Sequence, residues 1–434
     1  MRAYLESYKK LIAFGLMLRF AICFWTGHPW DFEVFIRVGY YIAHGSSLFQ
    51  AANPYVAGLG QPIFPNMSGL GYLPAWGLYT AFAYKIYQAF PASPFIYYFL
   101  LKLLPILGDL ALAYVIFLLT FNSTHDVQKA RRNSLIFFLC PFVIFISSVW
   151  GMFDSISVSF AMISILLTLL DKPYWSAFSL GLGIYFKVIP LLYLPVLLLF
   201  INKKKGAGET VLYFLVSSLT PFVFTLIPVT FFRWSIPEAA ITVLSQTEKT
   251  GDLLTYWNIS VLLRDLAPNV FSTETLTSFF SFPIIRYFWM LGLMVAYFLY
   301  YKLQTELPDD STPAQNLNLL LKGFLFVTIG FLLTRTWVPE QFVIYLLPMA
   351  VMLTGVMPVQ KYYELIWINA LIFASVNLFP FAFAYLINTD FWNMFNYVAN
   401  TQPSSTIRYV ARFVIAVFFD YYLLKFWFKM VKTP

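Results

Sequence analysis

Charge is scarce in this chain: 11% of its 434 residues are charged, against about a quarter in a typical soluble domain. A water-soluble fold would have nowhere to put the 60% that are hydrophobic, so that class is excluded. There are two cysteines, Cys23 and Cys140, both inside apolar stretches; they make neither a disulfide framework nor a metal cluster and are expected to be packing thiols. The three histidines, His28, His44 and His125, do not fall at ligand spacing. With no P-loop and no H-E-x-x-H, nothing points to ATP hydrolysis or a zinc site. No internal repeat or low-complexity tract is visible. The formal charge of +8 is not gathered on one face or tail, which argues against a nucleic-acid partner.

What is present is a series of apolar stretches long enough to cross a bilayer core, which takes roughly 20 helical residues. The basic residues cluster at the ends of these runs: Lys9/Lys10, Lys129/Arg131/Arg132, Lys203/Lys204/Lys205 and Lys425/Lys429/Lys432. All four clusters fall on one side if the spans are approximately 11–26, 95–121, 133–150, 155–170, 174–187, 188–202, 211–232, 283–302, 318–334, 340–357, 363–387 and 407–428. The expectation is a single all-α integral membrane domain over residues 1–434, with about twelve transmembrane helices and both termini cytoplasmic. The first run follows Lys9/Lys10 without a small-residue cleavage site, so it is expected to stay as a span rather than be removed. Leu73 to Phe90 is also apolar, but counting it as a span would move the Lys129 and Lys203 clusters outside. It carries Pro74 and Lys85 and is rich in Tyr and Trp, so it is expected to lie at the interface. The long outer loops are then 27–94 and 233–281, with a shorter one at 388–406.

Charges in or against the hydrocarbon tend to mark function. Asp109 is expected either to pair with Arg19 or to serve chemistry. Lys187, in Tyr185-Phe-Lys-Val-Ile-Pro190, faces outward at a hairpin tip, where it either snorkels or meets a lipid phosphate. Arg335 opens the turn Arg335-Thr-Trp-Val-Pro-Glu-Gln341 and either pairs with Glu340 or binds phosphate in a bidentate way. Asp31 and Glu33 follow the first span in Trp30-Asp-Phe-Glu33. They would share a side in an extended segment but not in a helix. Gly181-Leu-Gly183 reads as helix packing. Asn66-Met-Ser68 and Asn258-Ile-Ser260 fit the glycosylation triplet without assigning a compartment.

Several of these segments, in order, resemble one family. Asp31-Phe-Glu-Val-Phe35, Gly108-Asp-Leu-Ala-Leu-Ala-Tyr114, Trp150-Gly-Met-Phe-Asp-Ser155, Gly183-Ile-Tyr-Phe-Lys-Val-Ile-Pro190, Tyr256-Trp-Asn-Ile-Ser260 and Glu340-Gln-Phe-Val-Ile-Tyr-Leu-Leu-Pro348 are similar to motifs of the GT-C glycosyltransferases, in particular the catalytic subunit family of GPI mannosyltransferase I. The resemblance spans roughly residues 30 to 350. It implies a polytopic GT-C fold with interfacial helices in the first outer loop, a dolichyl- or polyprenyl-phosphate mannose donor, and a catalytic first-loop acid at Asp31. The family carries a further acid two positions earlier, where this chain has Pro29. The D-x-D form that would support a divalent metal is therefore absent, and no cofactor is expected to be obligatory.

The corresponding expectation is a glycosyltransferase working on the outer or lumenal face, moving a hexose, most naturally mannose, onto a lipid-linked or glycolipid acceptor with inversion. Asp31 is the base; Lys187 and Arg335 hold the donor phosphate. Glu33, Asp154, Asn258 and Gln341 contact sugar or acceptor, and a small membrane partner subunit is compatible with this scheme. The competing reading is a secondary transporter or lipid flippase. A transporter would place its polar groups at mid-membrane between two half-bundles, whereas an enzyme would gather them in one cavity at the outer end.

Overall fold

Proline and short capping side chains set many of the helix starts. The computed structural model describes residues 2–49, 70–90, 93–238, 240–241, 254–353, 360–382 and 386–432, and among these every regular element is a helix. The first are α1 (Arg2–Cys23), α2 (Asp31–Ala43), α3 (Pro74–Ala89), α4 (Pro94–Thr124), α5 (Val127–Phe138) and α6 (Pro141–Ile144), which runs on into a π-helical turn, Phe145–Trp150. Next come α7 (Asp154–Leu169), α8 (Pro173–Phe186), a 3-10 turn Ile189–Tyr193, α9 (Leu194–Lys205), α10 (Ala207–Phe231) and a 3-10 turn Tyr256–Asn258. The remainder are α11 (Ile259–Leu266), α12 (Thr273–Ser281), α13 (Pro283–Arg286), α14 (Phe288–Glu306) and α15 (Pro313–Thr334), then a 3-10 turn Glu340–Tyr345, α16 (Leu347–Leu353), α17 (Gln360–Ala382), α18 (Thr389–Asn400) and α19 (Ser404–Lys432). Pro74, Pro94, Pro173 and Pro313 occupy first turns, where a missing N–H costs no bond. Asp126 caps α5, and Thr312 with Gln315 forms a capping box on α15.

α4, α10 and α15 are each long and apolar enough to cross a membrane, and α5 with α6 and its π turn makes a fourth candidate, bent by 48°. The bend falls at Pro141, which has no N–H to continue the hydrogen-bond ladder of α5 and instead opens α6 at its first turn. Counting α1, α4, the bent pair, α7, α8, α9, α10, α14, α15, α16, α17 and α19, the helical segments follow the order of the expected spans. α3, with 16 residues, and α2, with 13, pack on each other, and α3 falls on the Leu73–Phe90 stretch expected at the interface. The expected spans 188–202 and 340–357 both open with a tight 3-10 turn instead of α-helix. Residues 354–357 and 383–385 of the expected spans, 50–69 of the first loop with the Asn66 triplet, and 242–253 of the second loop lie outside the described residues.

The Arg19 and Asp109 question is resolved by packing. Arg19 Nε donates to Asp109 Oδ2 at 3.0 Å with both side chains fully buried, and Arg19 Nη2 donates to the Phe138 carbonyl at 2.7 Å. Ser147 Oγ donates to Asp109 Oδ2 at 2.6 Å, and Ser155 Oγ donates to Oδ1. This cluster ties α1, α4, α5, the π turn and α7 together, so Asp109 is a structural partner. Arg19→Met would strand the carboxylate, and breaking a buried pair costs about 3–5 kcal/mol. We expect a lowered thermal-unfolding midpoint in detergent, most of it recovered in Arg19→Met/Asp109→Asn.

Close helix contacts come from small residues, as in other membrane bundles. A Cβ on Gly108 of α4 would stand 2.9 Å from the Ile156 side chain, so the missing side chain lets α7 lie close at that point. Gly181 meets Thr220 of α10 in the same way, which makes it a packing residue. Cys23 and Cys140 are both buried and free.

Candidate active site

The segment leaving α1 is clamped from below by a lysine. Lys102 of α4 is fully buried, and its Nζ donates to the Cys23 carbonyl at 3.0 Å, to Thr26 Oγ1 at 2.8 Å and to the Thr26 carbonyl. The Cys23 carbonyl is one of those that the end of α1 leaves unsatisfied. The same ammonium lies 4.8 Å from the centre of the Phe32 ring. A few residues on, the His28 N–H donates to the Trp150 carbonyl at 3.1 Å, and the two rings stack at 4.3 Å and 10°.

His28 also starts α2. Its Nδ1 accepts the N–H groups of Trp30 at 3.2 Å and of Asp31 at 3.0 Å, doing the work of an N-cap side chain. Burial lowers the imidazole pKa, and the Asp31 carboxylate only partly offsets this. With Nδ1 accepting two N–H bonds, the neutral form is the one the geometry requires. The 3.6 Å approach of His28 Nδ1 to Asp31 Oδ2 is therefore not an ion pair.

Asp31 stands in the first turn of α2, where a helix N-terminus favours negative charge. Its Oδ2 accepts the Trp150 indole N–H at 3.0 Å, and its side chain keeps 29% exposure. Gly151, which follows Trp150, has φ of +88°, and a Cβ there would reach 2.6 Å from the Phe32 ring. Only glycine lets the π turn lie this close beneath α2.

A buried pair faces this wing. Asp154 opens α7, Lys187 caps α8, and Lys187 Nζ meets Asp154 Oδ1 at 2.6 Å. The lysine does not snorkel: its Nζ lies 5.2 to 5.5 Å from the ring centres of Phe342, Tyr72 and Phe153. Asp154 Oδ2 is buried without a hydrogen-bond partner among the described residues. Tyr72, just before α3, lies between the two wings. Burial, then the charges of Asp31 and Asp154, push its phenol pKa well above the ordinary value.

Arg335 completes the arrangement. It caps the C-terminal end of α15, with its guanidinium 5.0 Å from the Phe331 ring centre and 5.5 Å from that of Trp337. Burial lowers its pKa to about 10, which leaves it charged at neutral pH. Lys187 and Arg335, far apart in sequence, line one cavity of about 160 Å³ with Tyr72, Leu191, Trp337 and Phe342. Glu340, the alternative partner considered for Arg335, accepts from Asn377 Nδ2 at 3.1 Å.

The remaining expected site residues divide. Gln341 lies in the Glu340–Tyr345 turn next to Phe342, with Oε1 buried and unpartnered among the described residues. Asn258 is fully buried on the Tyr256–Asn258 turn, a placement that leaves no room for a glycan. That turn is fastened to α19 by Tyr256 N–H donating to Asp420 Oδ2 at 2.6 Å, and Leu254 N–H reaches the Val338 carbonyl at 3.0 Å. Glu33 is not brought to Asp31. Residues two apart on a helix diverge, and Glu33 Oε1 accepts Arg37 Nε at 2.9 Å one turn along. Among the described residues no group of three or more His, Cys, Asp or Glu side chains has metal-site geometry.

Sequence reasoning did not single out His28, Lys102 or Tyr72 for the site, nor Trp150 as the partner of Asp31. Trp150-Gly151, just ahead of Asp154, was the available signal in the sequence.

No family model matches the chain, and no curated protein sequence matches it. Among solved structures, ArnT from Cupriavidus metallidurans, crystallised in the apo state, superposes with a TM-score of 0.52 over 99% of this chain and 78% of its own, at 12% identity. The fold is ArnT-like. That likeness, with helices long and apolar enough to cross a membrane, agrees with the all-α polytopic architecture expected from the sequence. At 12% identity ArnT speaks for the architecture, and the chemistry has to be argued from this chain's own side chains.

Proposed function

We propose that this protein is a membrane glycosyltransferase that moves a hexose, mannose by its motif resemblance, from a polyprenyl-phosphate carrier to a lipid-linked or glycolipid acceptor. The observation that carries the reading is the cavity shared by Lys187 and Arg335: two cations set among aromatic and aliphatic walls. A phosphate with a long apolar tail matches that combination, and arginine with lysine is a natural phosphate clamp. ArnT, whose fold this chain shares, is a GT-C glycosyltransferase of 4-amino-4-deoxy-L-arabinose.

The chemistry needs one accessible carboxylate. Asp31 takes the acceptor hydroxyl proton as the hydroxyl oxygen forms a bond to the anomeric carbon. The bond from that carbon to the phosphate oxygen breaks, and polyprenyl phosphate leaves with the electron pair, inverting the centre. Trp150 fixes one oxygen of Asp31 and leaves the other for the acceptor. Asp154 sets the position of Lys187, and the unpartnered oxygens of Asp154 and Gln341 suit sugar hydroxyl donors.

Asp31, Asp154, Lys187 and Arg335 all stand at helix ends on one side of the bundle. This favours an enzyme with an end-facing cavity over a transporter with a midplane site. The charge distribution of the loops supports an outer or lumenal position for that end. The test is transfer of labelled hexose from polyprenyl-phosphate mannose to total membrane lipid by the purified protein, with polyprenyl-phosphate glucose and 4-amino-4-deoxy-L-arabinose alongside. A labelled lipid product with one donor supports the reading and names the sugar; no product with any of them, when substrate uptake into vesicles is seen instead, overturns it.

A further inference from the structure

A second large groove lies between α17, α18 and α19. Its volume is about 530 Å³, and its lining is apolar, including Val376, Phe395, Val398, Ile407 and Ala411, with Arg408 the one charged residue. Arg408 stands in the second turn of α19. Its hydrogen-bond acceptors are neutral oxygens: Nη2 donates to the Asn377 carbonyl at 2.6 Å and to Asn377 Oδ1 at 3.2 Å, and Nε donates to the Val376 carbonyl at 3.3 Å. Arg412 follows at i,i+4 on the same helix, the spacing that puts two side chains on one face. Asp265, the carboxylate nearest the start of α19, is taken up by Gln402 at 3.1 Å and by Thr406. No carboxylate stands within ion-pair distance of Arg408 among the described residues.

A cation at the mouth of an apolar groove, bonded only to neutral oxygens, matches an anion carrying a hydrocarbon tail. The location fits as well. α18 is a 12-residue helix whose Met394, Tyr397 and Val398 are exposed, as on a helix lying along a membrane surface. Arg408, in the second turn of the 29-residue α19 beside it, would on that arrangement meet lipid headgroups, with the apolar lining alongside for a chain. Basic pockets between membrane helices hold anionic headgroups for this reason.

We propose that this groove binds an anionic phospholipid of the surrounding bilayer, with its phosphate on Arg408 and an acyl chain along Val376, Phe395 and Ile407. The site is wired to the cavity described above. Arg408 holds Asn377, Asn377 Nδ2 donates to Glu340, and the Glu340–Tyr345 turn carries Gln341 and Phe342. An occupied groove therefore steadies that turn. Binding itself does not depend on the proposed transfer reaction.

The experiment is native mass spectrometry of the full chain in detergent, titrated with phosphatidylglycerol or phosphatidylcholine. The wild type is expected to retain one phosphatidylglycerol in preference to phosphatidylcholine. Arg408→Gln should weaken that binding roughly tenfold, the worth of one charge-assisted hydrogen bond, with Arg408→Lys intermediate. Equal retention of the two lipids by the wild type, or undiminished phosphatidylglycerol on Arg408→Gln, overturns the proposal. If Arg408→Gln fails to fold, Ala411→Phe fills the groove and leaves the arginine, and full retention by that variant overturns it too. Displacement of phosphatidylglycerol by a glycolipid that the enzyme glycosylates would make the groove an acceptor subsite and overturn the assignment to a bilayer lipid.

Discussion

Asp31→Asn is expected to slow sugar transfer by about 10²–10⁴-fold, the usual contribution of a positioned general base. The substitution is nearly isosteric, and the amide oxygen can still accept the Trp150 indole N–H that holds Asp31. His28 would still cap α2 through the backbone N–H of residue 31. The local structure should survive while the proton acceptor is lost. Donor affinity should be unchanged, because Asp31 is not among the lining residues of the Lys187 and Arg335 cavity, which comes from Tyr72, the segment from Lys187 to Leu192, Trp289, the end of α15 and the turn that follows it. Single-turnover transfer measured beside equilibrium binding of the polyprenyl-phosphate sugar separates the two effects. Near-normal transfer by the variant would remove Asp31 as the base. Lost donor binding would make it a donor ligand instead.

Lys187→Met should damage both stability and chemistry, and the two can be separated. The ammonium is the hydrogen-bond partner of Asp154 Oδ1, and the other Asp154 oxygen has none among the described residues. Removing the lysine leaves a carboxylate with 0% exposure unpaired, a loss of about 3–5 kcal/mol. Asp154→Asn/Lys187→Met removes both charges and should recover most of that stability. It should not recover transfer, since one phosphate ligand is gone; losses of about 10²–10³-fold are usual for one electrostatic contact to a charged reacting group. Thermal unfolding and transfer rates for the two single variants and the double variant complete the cycle. If the double variant regained transfer together with stability, Lys187 would be a structural ion-pair member and not a phosphate ligand.

Local signals located several of these groups before the fold was known. Lys187 and Arg335 stood out because a charge beside a proline-broken apolar run is costly, and both prove to cap helices at one end of the bundle. Arg19 and Asp109 stood out for the same reason and turn out to be a buried pair. One-dimensional reasoning cannot separate these cases, because burial with a partner and burial beside a substrate look alike in sequence. Glu33 shows the opposite limit: its acid is one turn from Arg37, and the helix that begins at Asp31 carries it away from the site.

By itself the sequence determined the environment and architecture: long apolar runs with few charges require helices in a bilayer, since lipid offers no partner for open backbone. It also led to the expectation that Leu73–Phe90 lies at the interface, from Pro74, Lys85 and the placement of the basic clusters. Tertiary structure decided which charges meet. Lys102 holds the turn ahead of Asp31, the Trp150 indole orients that carboxylate, and Lys187 shares a cavity with Arg335 from well over a hundred residues away. These relations depend on how close two helices come, and that is set by side-chain volumes such as Gly108 against Ile156 and Gly151 against Phe32. Such distances belong to pairs of elements and are encoded in no single stretch of the chain.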